Sequence, residues 1–456
     1  MERVTNDFDL IIEGGTVVTM NPGRAVVRAD VHVKDGRIVR IAQNGERIEG
    51  RARVIDARGA LVVPGFVQTH VHLCQALFRG MADELPLMDW LRQRIWPLEA
   101  AHTEASIAAS ARLGIAEMLL GGTTTILDMG TVSHQDVVFD VLKESGLRAF
   151  SGKAMMDKGF GVPKGLCETT KDSLRESERL IAKWHGTADG RLGYALAPRF
   201  ILSCSEELWR QTAELARATK TLIHSHAAEH VGERDEVRRQ LGMDDVDALA
   251  SYGIAGPHVV LAHGVQLTKA QMKRCAKQGT RFVHCPSANL KLSSGIADVV
   301  AMRDAGMIVG LGADGAPCNN RMDAFTELRQ AALLAKVKRM DAAALSPMDA
   351  LAMLTIDGAR VLGIDNEVGS IEVGKKADIS VVRIDALHAL PGIEGNVASL
   401  ISRLVYSATP RDVTDVIVDG IPLVERGVLR AFDEAQVAAD AVREGRGVFQ
   451  RARIAA

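Results

Sequence analysis

Two histidines spaced two residues apart are the first residues of this chain whose types could support catalysis. His70 and His72 lie in FVQTHVH, a short run rich in β-branched residues that predicts a strand. Successive side chains of a strand point to opposite faces, so both imidazoles lie on one face and can bind one cation. A single histidine at a strand end is more often structural, so it is the pairing that favours a metal site.

Three later strand-like runs also end in side chains that bind metals. His226 ends TLIHSH, His263 ends VVLAH, and Asp314 follows MIVGLGA. Three imidazoles and one carboxylate suit Zn²⁺, and suit Fe²⁺ or Mn²⁺ less well. We therefore predict one divalent metal ion, with His70, His72, His226 and Asp314 as its ligands.

Glu229 is the best general acid and base in the sequence. It follows His226 by three residues, so its carboxylate can reach water activated by the metal. A carboxylate in that place can accept the proton of the water and pass it to a leaving nitrogen. The alternative is a salt-bridging glutamate at a helix start, because EHVGERDEVRRQ has a helical pattern. The roles of His224 and His284 stay open.

Strand-like and helical patterns alternate from residue 64 to residue 363. The eight strand-like runs are FVQTHVH, TTTILDMG, RAFSGKAMM, RLGYALAPR, TLIHSHAAE, VVLAHG, RFVHCP and MIVGLGAD. Eight strand–helix units predict a (β/α)₈ barrel, whose catalytic groups gather at the carboxyl ends of its strands. A doubly wound sheet is the structural alternative, but no GxGxxG follows the first strand.

The two ends of the chain differ from this middle part. Both contain short β-branched runs broken by turn residues, and Asp35-Gly36 and Asp419-Gly420 are hairpin signals. We predict that residues 1–63 and 364–456 form one small β-sandwich domain beside a barrel of residues 64–363.

Composition excludes several classes of partner. The 456 residues carry a formal net charge of -2 with no basic cluster, so we expect neither nucleic-acid nor membrane binding. The N-terminus lacks a signal-peptide pattern, and the six scattered cysteines contain no CxxC pair. These features predict a cytoplasmic protein with free thiols and a small-molecule substrate.

Five motifs together carry a family resemblance. PGFVQTHVH, HAAE, LAHG, SANLKLSSGIA and GLGADGAPCNN resemble the amidohydrolase superfamily, in its subgroup of mononuclear aminohydrolases. The resemblance implies the metal ligands named above and a proton shuttle at Glu229. It implies that His263 polarises the substrate or orients the water, and that Asp314 also acts as a base. It further implies a homo-oligomer. Binuclear members carry a carbamylated lysine in the strand matching RLGYALAPR, and its absence here favours a single metal.

The resemblance gives two different indications about the substrate. RGMADELPLMDWLRQRIWPLE resembles deaminases of 5'-deoxyadenosine, methylthioadenosine and S-adenosylhomocysteine, in which the residue matching Glu99 holds the ribose hydroxyls. FSGKAMMD and ALAPRFILSCSEEL resemble guanine deaminase, in which the residues matching Gln75 and Arg199 hold the ring. The methylthioadenosine enzymes have a histidine in place of Arg199 and an arginine in place of Lys153, which makes Lys153 a further predicted substrate contact.

We predict a deaminase of an adenosine derivative, with three alternatives. A guanine or pterin deaminase requires a tight pocket with Arg199 and Gln75 at the ring edge, whereas an adenosine substrate requires space around Glu99. An s-triazine hydrolase would use the same attack on an electron-poor ring. A non-catalytic barrel is the fourth reading, but such a protein should lack some ligands, and every position is filled here.

Overall fold

Two β-sheets organise the part of the chain that the computed structural model describes, residues 8–43, 52–159, 161–392 and 395–454. In chain order the strands are β1 (Leu10–Val18), β2 (Val26–Lys34), β3 (Arg37–Gln43), β4 (Arg53–Asp56), β5 (Ala60–Pro64), β6 (Phe66–Val71), β7 (Thr123–Met129), β8 (Arg148–Gly152), β9 (Ala154–Met155), β10 (Leu192–Pro198), β11 (Leu222–Ala227), β12 (Val259–His263), β13 (Arg281–His284), β14 (Val309–Leu311), β15 (Ile379–Arg383), β16 (Val413–Val418), β17 (Ile421–Glu425) and β18 (Val428–Leu429).

Helices connect and cover these strands. They are α1 (Leu87–Trp90), α2 (Trp96–Ala100), α3 (Glu104–Leu120), α4 (Gln135–Ser145), α5 (Thr170–Trp184), α6 (Glu206–Thr219), α7 (Val231–Leu241), α8 (Asp245–Ser251), α9 (Lys269–Gln278), α10 (Pro286–Lys291), α11 (Val299–Asp304), α12 (Ala316–Asn319), α13 (Ala324–Arg339), α14 (Pro347–Met353), α15 (Ile356–Leu362), α16 (Val397–Tyr406) and α17 (Glu434–Ala452). A π-helix spans Leu91–Ile95, and a 3₁₀ helix spans Leu73–Phe78.

The larger structural unit is a closed barrel of eight parallel strands. The strands run in the order β11-β12-β13-β14-β6-β7-β8-β10, and pairing of β10 with β11 closes the ring. Every residue of β6, β7 and β10 is buried, because helices cover the outer face of a parallel sheet. The (β/α)₈ prediction is confirmed, and each of the eight predicted runs contains one of the barrel strands.

Strands from the two ends of the chain form the second sheet. Its order is β18-β17-β16-β15-β5-β1-β2-β3, with β4 paired to β1. The ends meet at β5, which pairs in parallel with β1 and antiparallel with β15. The prediction that both ends build one β-structure is confirmed, while the exact limits 1–63, 64–363 and 364–456 stay a prediction.

The two predicted hairpins are present, and their turns touch. Asp35 and Gly36 have φ of 51° and 73°, and Asp419 and Gly420 have φ of 48° and 76°, as two-residue turns of this type require. A Cβ on Gly36 would lie 2.8 Å from the backbone oxygen of Asp419. Only glycine therefore allows this close approach of the two turns.

A buried arginine joins the barrel to this second sheet. Arg148 begins β8 and donates from Nε to Asp378 (2.8 Å) and from Nη2 to Asp419 (2.6 Å). All three side chains are nearly buried, at 7 %, 1 % and 11 % exposed. The ion pairs fix the end of the barrel opposite the carboxyl ends of its strands.

Two smaller findings concern membrane-spanning helices and the cysteines. In the residues that the structure describes, no helix is long and apolar enough to cross a membrane. All six cysteines are free thiols, as the sequence predicted.

Candidate metal centre and active site

The predicted ligands converge at the carboxyl ends of the barrel strands. His70 lies at the end of β6, His72 directly after it and His226 on β11, while Asp314 follows β14. The nearest ligand atoms of His70, His72 and His226 all lie within 4.8 Å of one another, and so do those of His70, His263 and Asp314. Nε2 of both His70 and His72 lies 3.4 Å from Oδ1 of Asp314.

Backbone carbonyls determine which imidazole nitrogens are free to bind a metal. Nδ1 of His72 donates to the carbonyl of Met129 (2.8 Å), and Nδ1 of His226 donates to that of Arg199 (2.7 Å). In the neutral rings both Nε2 atoms then carry only lone pairs, yet they face each other across 3.3 Å. Nε2 of His70 is also buried without a hydrogen-bond partner. Such an arrangement fits a cation held between these nitrogens.

Burial keeps His70 and His226 neutral. It lowers the pKa of His70 to about 4 and the pKa of His226 well below its ordinary value. A neutral imidazole is the form that binds a metal. The site is therefore set up for a divalent ion at neutral pH.

His224 and Asn289 support the centre, and sequence reasoning did not assign either role. Nε2 of His224 lies 2.7 Å from Nδ1 of His70, so it can orient that ring from behind. Oδ1 of Asn289 lies 2.9 Å from Nδ1 of His263, which leaves Nε2 of His263 facing the site. Asn289 lies in the motif SANLKLSSGIA, which was the only indication in the sequence that this residue belongs to the site. His284 is buried, with Nδ1 lacking a hydrogen-bond partner.

Glu229 lines a small cavity together with the side chains of predicted metal ligands. It sits in the turn between β11 and α7, and its Oε2 is 3.5 Å from Nε2 of His263. Burial, with the neighbouring Glu233 charge, raises the pKa of Glu229 well above its ordinary value. A carboxyl with a raised pKa is suited to hold and transfer a proton near neutral pH.

The cavity beside Glu229 is small, about 30 Å³, and has three kinds of wall. Ligand side chains and Glu229 form the floor, and Gln75 and Arg199 form a polar side. The remaining wall, here called the roof, is apolar and consists of Leu87, Trp90, Leu91, Phe200 and Leu292. Ligand pockets commonly reach about 300 Å³ or more, so the roof must shift for a bicyclic ring to enter.

Glu99 lies behind the polar side of the cavity. Arg199 donates to it twice, at 2.5 and 3.0 Å, and Nε2 of Gln75 donates at 2.8 Å. Burial acts to raise the pKa of Glu99, but the Arg199 charge and the hydrogen bonds from Arg199 and Gln75 together outweigh it and lower the pKa. Oε1 of Gln75 is buried without a partner. The structure thus brings Gln75 and Arg199 to the cavity and keeps Glu99 one layer further back.

Lys153 lies apart from the other predicted site residues. Its Nζ donates to Oε2 of Glu168 at 2.5 Å, and the side chain is 1 % exposed. Burial lowers the pKa of Lys153. Neither Lys153 nor Glu99 is among the described residues that line the cavity, so a substrate contact at Lys153 stays a prediction.

A larger groove of about 820 Å³ lies elsewhere on the molecule. It runs between α3 and α17, and its lining residues within the described ranges include none of the predicted catalytic or metal-binding ones. Size alone therefore does not identify the site, and the converging chemical groups do.

Comparison with known proteins adds independent findings. Residues 61–422 match the model of the Amidohydrolase family. The chain is 40 % identical over 410 residues to the 5'-deoxyadenosine deaminase of Methanothermobacter thermautotrophicus, covering 90 % of this chain and 92 % of that one. It is 36 % identical over 438 residues to the 5-methylthioadenosine/S-adenosylhomocysteine deaminase of Halobacterium salinarum, covering 94 % and 98 %.

A solved structure of similar fold has also been determined with a metal. The adenosine deaminase of Xanthomonas campestris, with bound zinc, superimposes with a TM-score of 0.91 at 33 % identity. The match covers 98 % of this chain and 100 % of that one.

Proposed function

The chain belongs to the amidohydrolase family, and from this premise we propose that it hydrolyses the exocyclic amine of an adenosine derivative and releases ammonia. This proposal rests on one observation. The Nε2 atoms of His72 and His226 face each other without a proton between them, and Glu229 lies beside them at the cavity floor. We further propose zinc as the metal, because imidazole and carboxylate ligands suit it and a similar structure binds it.

Each group of the site has a role that its position supports. A bound divalent ion supplies Lewis acidity and lowers the pKa of water. Glu229 accepts a proton from the attacking water and delivers it to the leaving nitrogen. His263 presents Nε2 to the substrate, because Asn289 holds its other nitrogen. Asp314 offers a carboxylate oxygen within 3.9 Å of His263 and acts as a second base.

The roof of the cavity favours an adenosine derivative with a small apolar 5' group. All five of its side chains are apolar in their bulk, and Arg199, the cation at the cavity wall, is already paired with Glu99. Two relatives named above are deaminases of 5'-modified adenosines. Glu99 would reach the ribose hydroxyls only after Arg199 or Gln75 moves.

One observation favours guanine or a pterin as a second candidate substrate. Gln75 and Arg199 face the cavity, and Oε1 of Gln75 lacks a donor. An amino-oxo ring offers N–H donors to that oxygen and a carbonyl to the guanidinium. A tight pocket with Arg199 and Gln75 at the ring edge is the arrangement that we predicted for a guanine substrate.

An ammonia-release assay separates the two candidates. Metal-replete protein is incubated with 5'-deoxyadenosine, methylthioadenosine, guanine and a pterin, with the Glu229→Gln variant as the inactive control. We expect release from the adenosines. Release from guanine or the pterin alone would overturn the proposed substrate, and no release from any of the four would overturn deamination of these rings.

A homo-oligomer remains our proposal from the family resemblance. Sedimentation of the purified chain checks it, and a monomer at assay concentration would contradict it.

A further inference from the structure

Two buried carboxyl groups lie directly behind the turn that carries Glu229. Glu233 is in the first turn of α7 and is 1 % exposed, and Asp245 begins α8 and is 3 % exposed. In the described part of the chain neither carboxyl takes part in an ion pair. Burying two acidic groups without a cation costs free energy, so we expect these two carboxyl groups to perform a specific function.

Both carboxyls hold the backbone of the catalytic turn. Oδ2 of Asp245 accepts from the N–H of Ala228 at 2.5 Å, and Oδ1 accepts from Val246 at 2.7 Å. The backbone N–H groups of Glu229 and His230 lie close enough to the Glu233 carboxyl to act against the rise of its pKa. Asp245 therefore holds the N–H of Ala228 directly, and Glu233 lies against the two N–H groups that follow it in the turn.

The turn itself needs such support. Ala228 has φ of 53°, a left-handed conformation that alanine adopts only when its surroundings impose it. The carbonyl of Ala228 accepts from Gln266, and that of Ala227 accepts from Gly264, so the segment that follows β12 fixes the opposite side of the turn. The conformation at Ala228 sets the direction in which Glu229 leaves the strand.

The position of Glu233 beside Asp245, in a buried site, favours the protonated form of the Glu233 carboxyl. Burial, with the Asp245 charge as the next cause, raises the pKa of Glu233 to about 8. Oε2 of Glu233 is buried without a hydrogen-bond partner. Glutamine has the shape of a neutral glutamic acid, so Glu233→Gln should preserve the arrangement and Glu233→Ala should not.

We propose that Glu233 and Asp245 are positioning residues that hold the 228–230 turn and thereby fix the carboxyl of Glu229 for proton transfer. This proposal rests on the proposed function, because it requires Glu229 to carry the proton. A displacement of about 1 Å at a reacting group can lower a rate about 100-fold. The expected defect is therefore in kcat, while substrate binding and the metal centre stay intact.

The test measures kcat and KM for 5'-deoxyadenosine in the metal-replete full-length protein. We expect Asp245→Ala and Glu233→Ala to lower kcat about 10- to 100-fold, with KM within about twofold of the parent. Glu233→Gln should restore most of the rate. Asp247→Ala is the matched control, because Asp247 lies on the same helix and pairs at the surface with Arg274. Metal content and thermal midpoints of every variant are measured alongside.

A double-mutant comparison gives a readout that a general structural role would not produce. If the pair acts only through Glu229, Asp245→Ala should cause no further loss in a Glu229→Ala background. An additional loss there, or a joint fall in metal content and KM, would overturn the proposal. So would a kcat for Asp245→Ala equal to that of Asp247→Ala.

Failure of the proposed function gives a different result. If Glu229→Ala keeps the parent activity, the proton role of Glu229 is wrong and the positioning role fails with it. If Glu229→Ala loses most of its rate and both pair variants behave like the parent, only the positioning role is wrong. Should Asp245→Ala fail to fold, Asp245→Asn and the two Glu233 variants test the same claim.

Discussion

Hydrogen bonds to backbone carbonyls orient two histidine rings of the candidate metal centre. His72 and His226 each use Nδ1 for this purpose, so each directs Nε2 to the same point. The sequence placed His70, His72 and His226 correctly at strand ends, because alternation and barrel topology determine those positions. The role of His224 could not be predicted from the sequence. Two residues along a strand span about 6.6 Å, so His224, two residues before His226, lies one layer below the candidate metal centre.

At Glu99 the buried pair with Arg199 leads to a stability prediction. Replacing Glu99 with glutamine leaves the guanidinium buried without a counter-charge, which costs about 3–5 kcal/mol. We expect the thermal midpoint of the metal-replete protein to fall by several degrees. The control is Glu104→Gln, whose side chain is 78 % exposed. Equal midpoints for the two variants would show that the pair adds nothing.

At the scale of elements, patterning predicted the regular parts and missed the irregular ones. Helices follow Thr103, Thr169 and Ser205 between predicted strands, and each of these residues caps its helix with a side-chain hydrogen bond. The roof was not predicted. Three of its five side chains, Leu87, Trp90 and Leu91, come from the single turn α1 and the π-helix, and neither of these elements produces a periodic signal long enough to detect.

A buried carboxyl on α13 leads to a pH prediction. Burial raises the pKa of Glu327 from 4.5 to about 8, although it accepts hydrogen bonds from Ser287 and Asn319. The unfolded chain releases this proton near pH 4.5, and the folded protein releases it near pH 8. The stability that Glu327 contributes is therefore complete below pH 4.5 and is lost as pH rises towards 8.

Thermal midpoints of chelator-treated protein test this sign. The parent midpoint should fall between pH 5 and pH 8, and Glu327→Gln should reduce that fall because glutamine cannot ionise. Glu207→Gln, at an exposed position on α6, should leave it unchanged. A steeper fall in Glu327→Gln than in the parent would contradict the assignment.

At the scale of the whole molecule, the second sheet and the barrel depend on each other. The two ends of the chain meet because β5 pairs with both of them, a contact that composition indicated but whose register the sequence could not fix. Similarly, the motifs associated Glu99 with the substrate. Only the packed barrel shows that Arg199 and Gln75 lie between Glu99 and the cavity.

The ion pairs of Arg148 make this dependence measurable. Arg148→Met removes the shared partner of Asp378 and Asp419 and leaves buried carboxylates behind, at a cost of about 3–5 kcal/mol. Arg179→Met, at a position 46 % exposed, should cost about 1 kcal/mol or less. Calorimetry compares the two variants, and a larger effect of Arg179→Met would contradict this account of how the two units are joined.

The central claim is that one divalent metal ion at His70, His72, His226 and Asp314 makes this protein a deaminase. The most direct measurement is a titration of chelator-treated protein with Zn²⁺, following bound metal and ammonia release from 5'-deoxyadenosine together. We predict that activity rises in proportion to bound metal and reaches its maximum at one ion per chain. Full activity without metal, or a maximum that requires two ions per chain, would contradict the account.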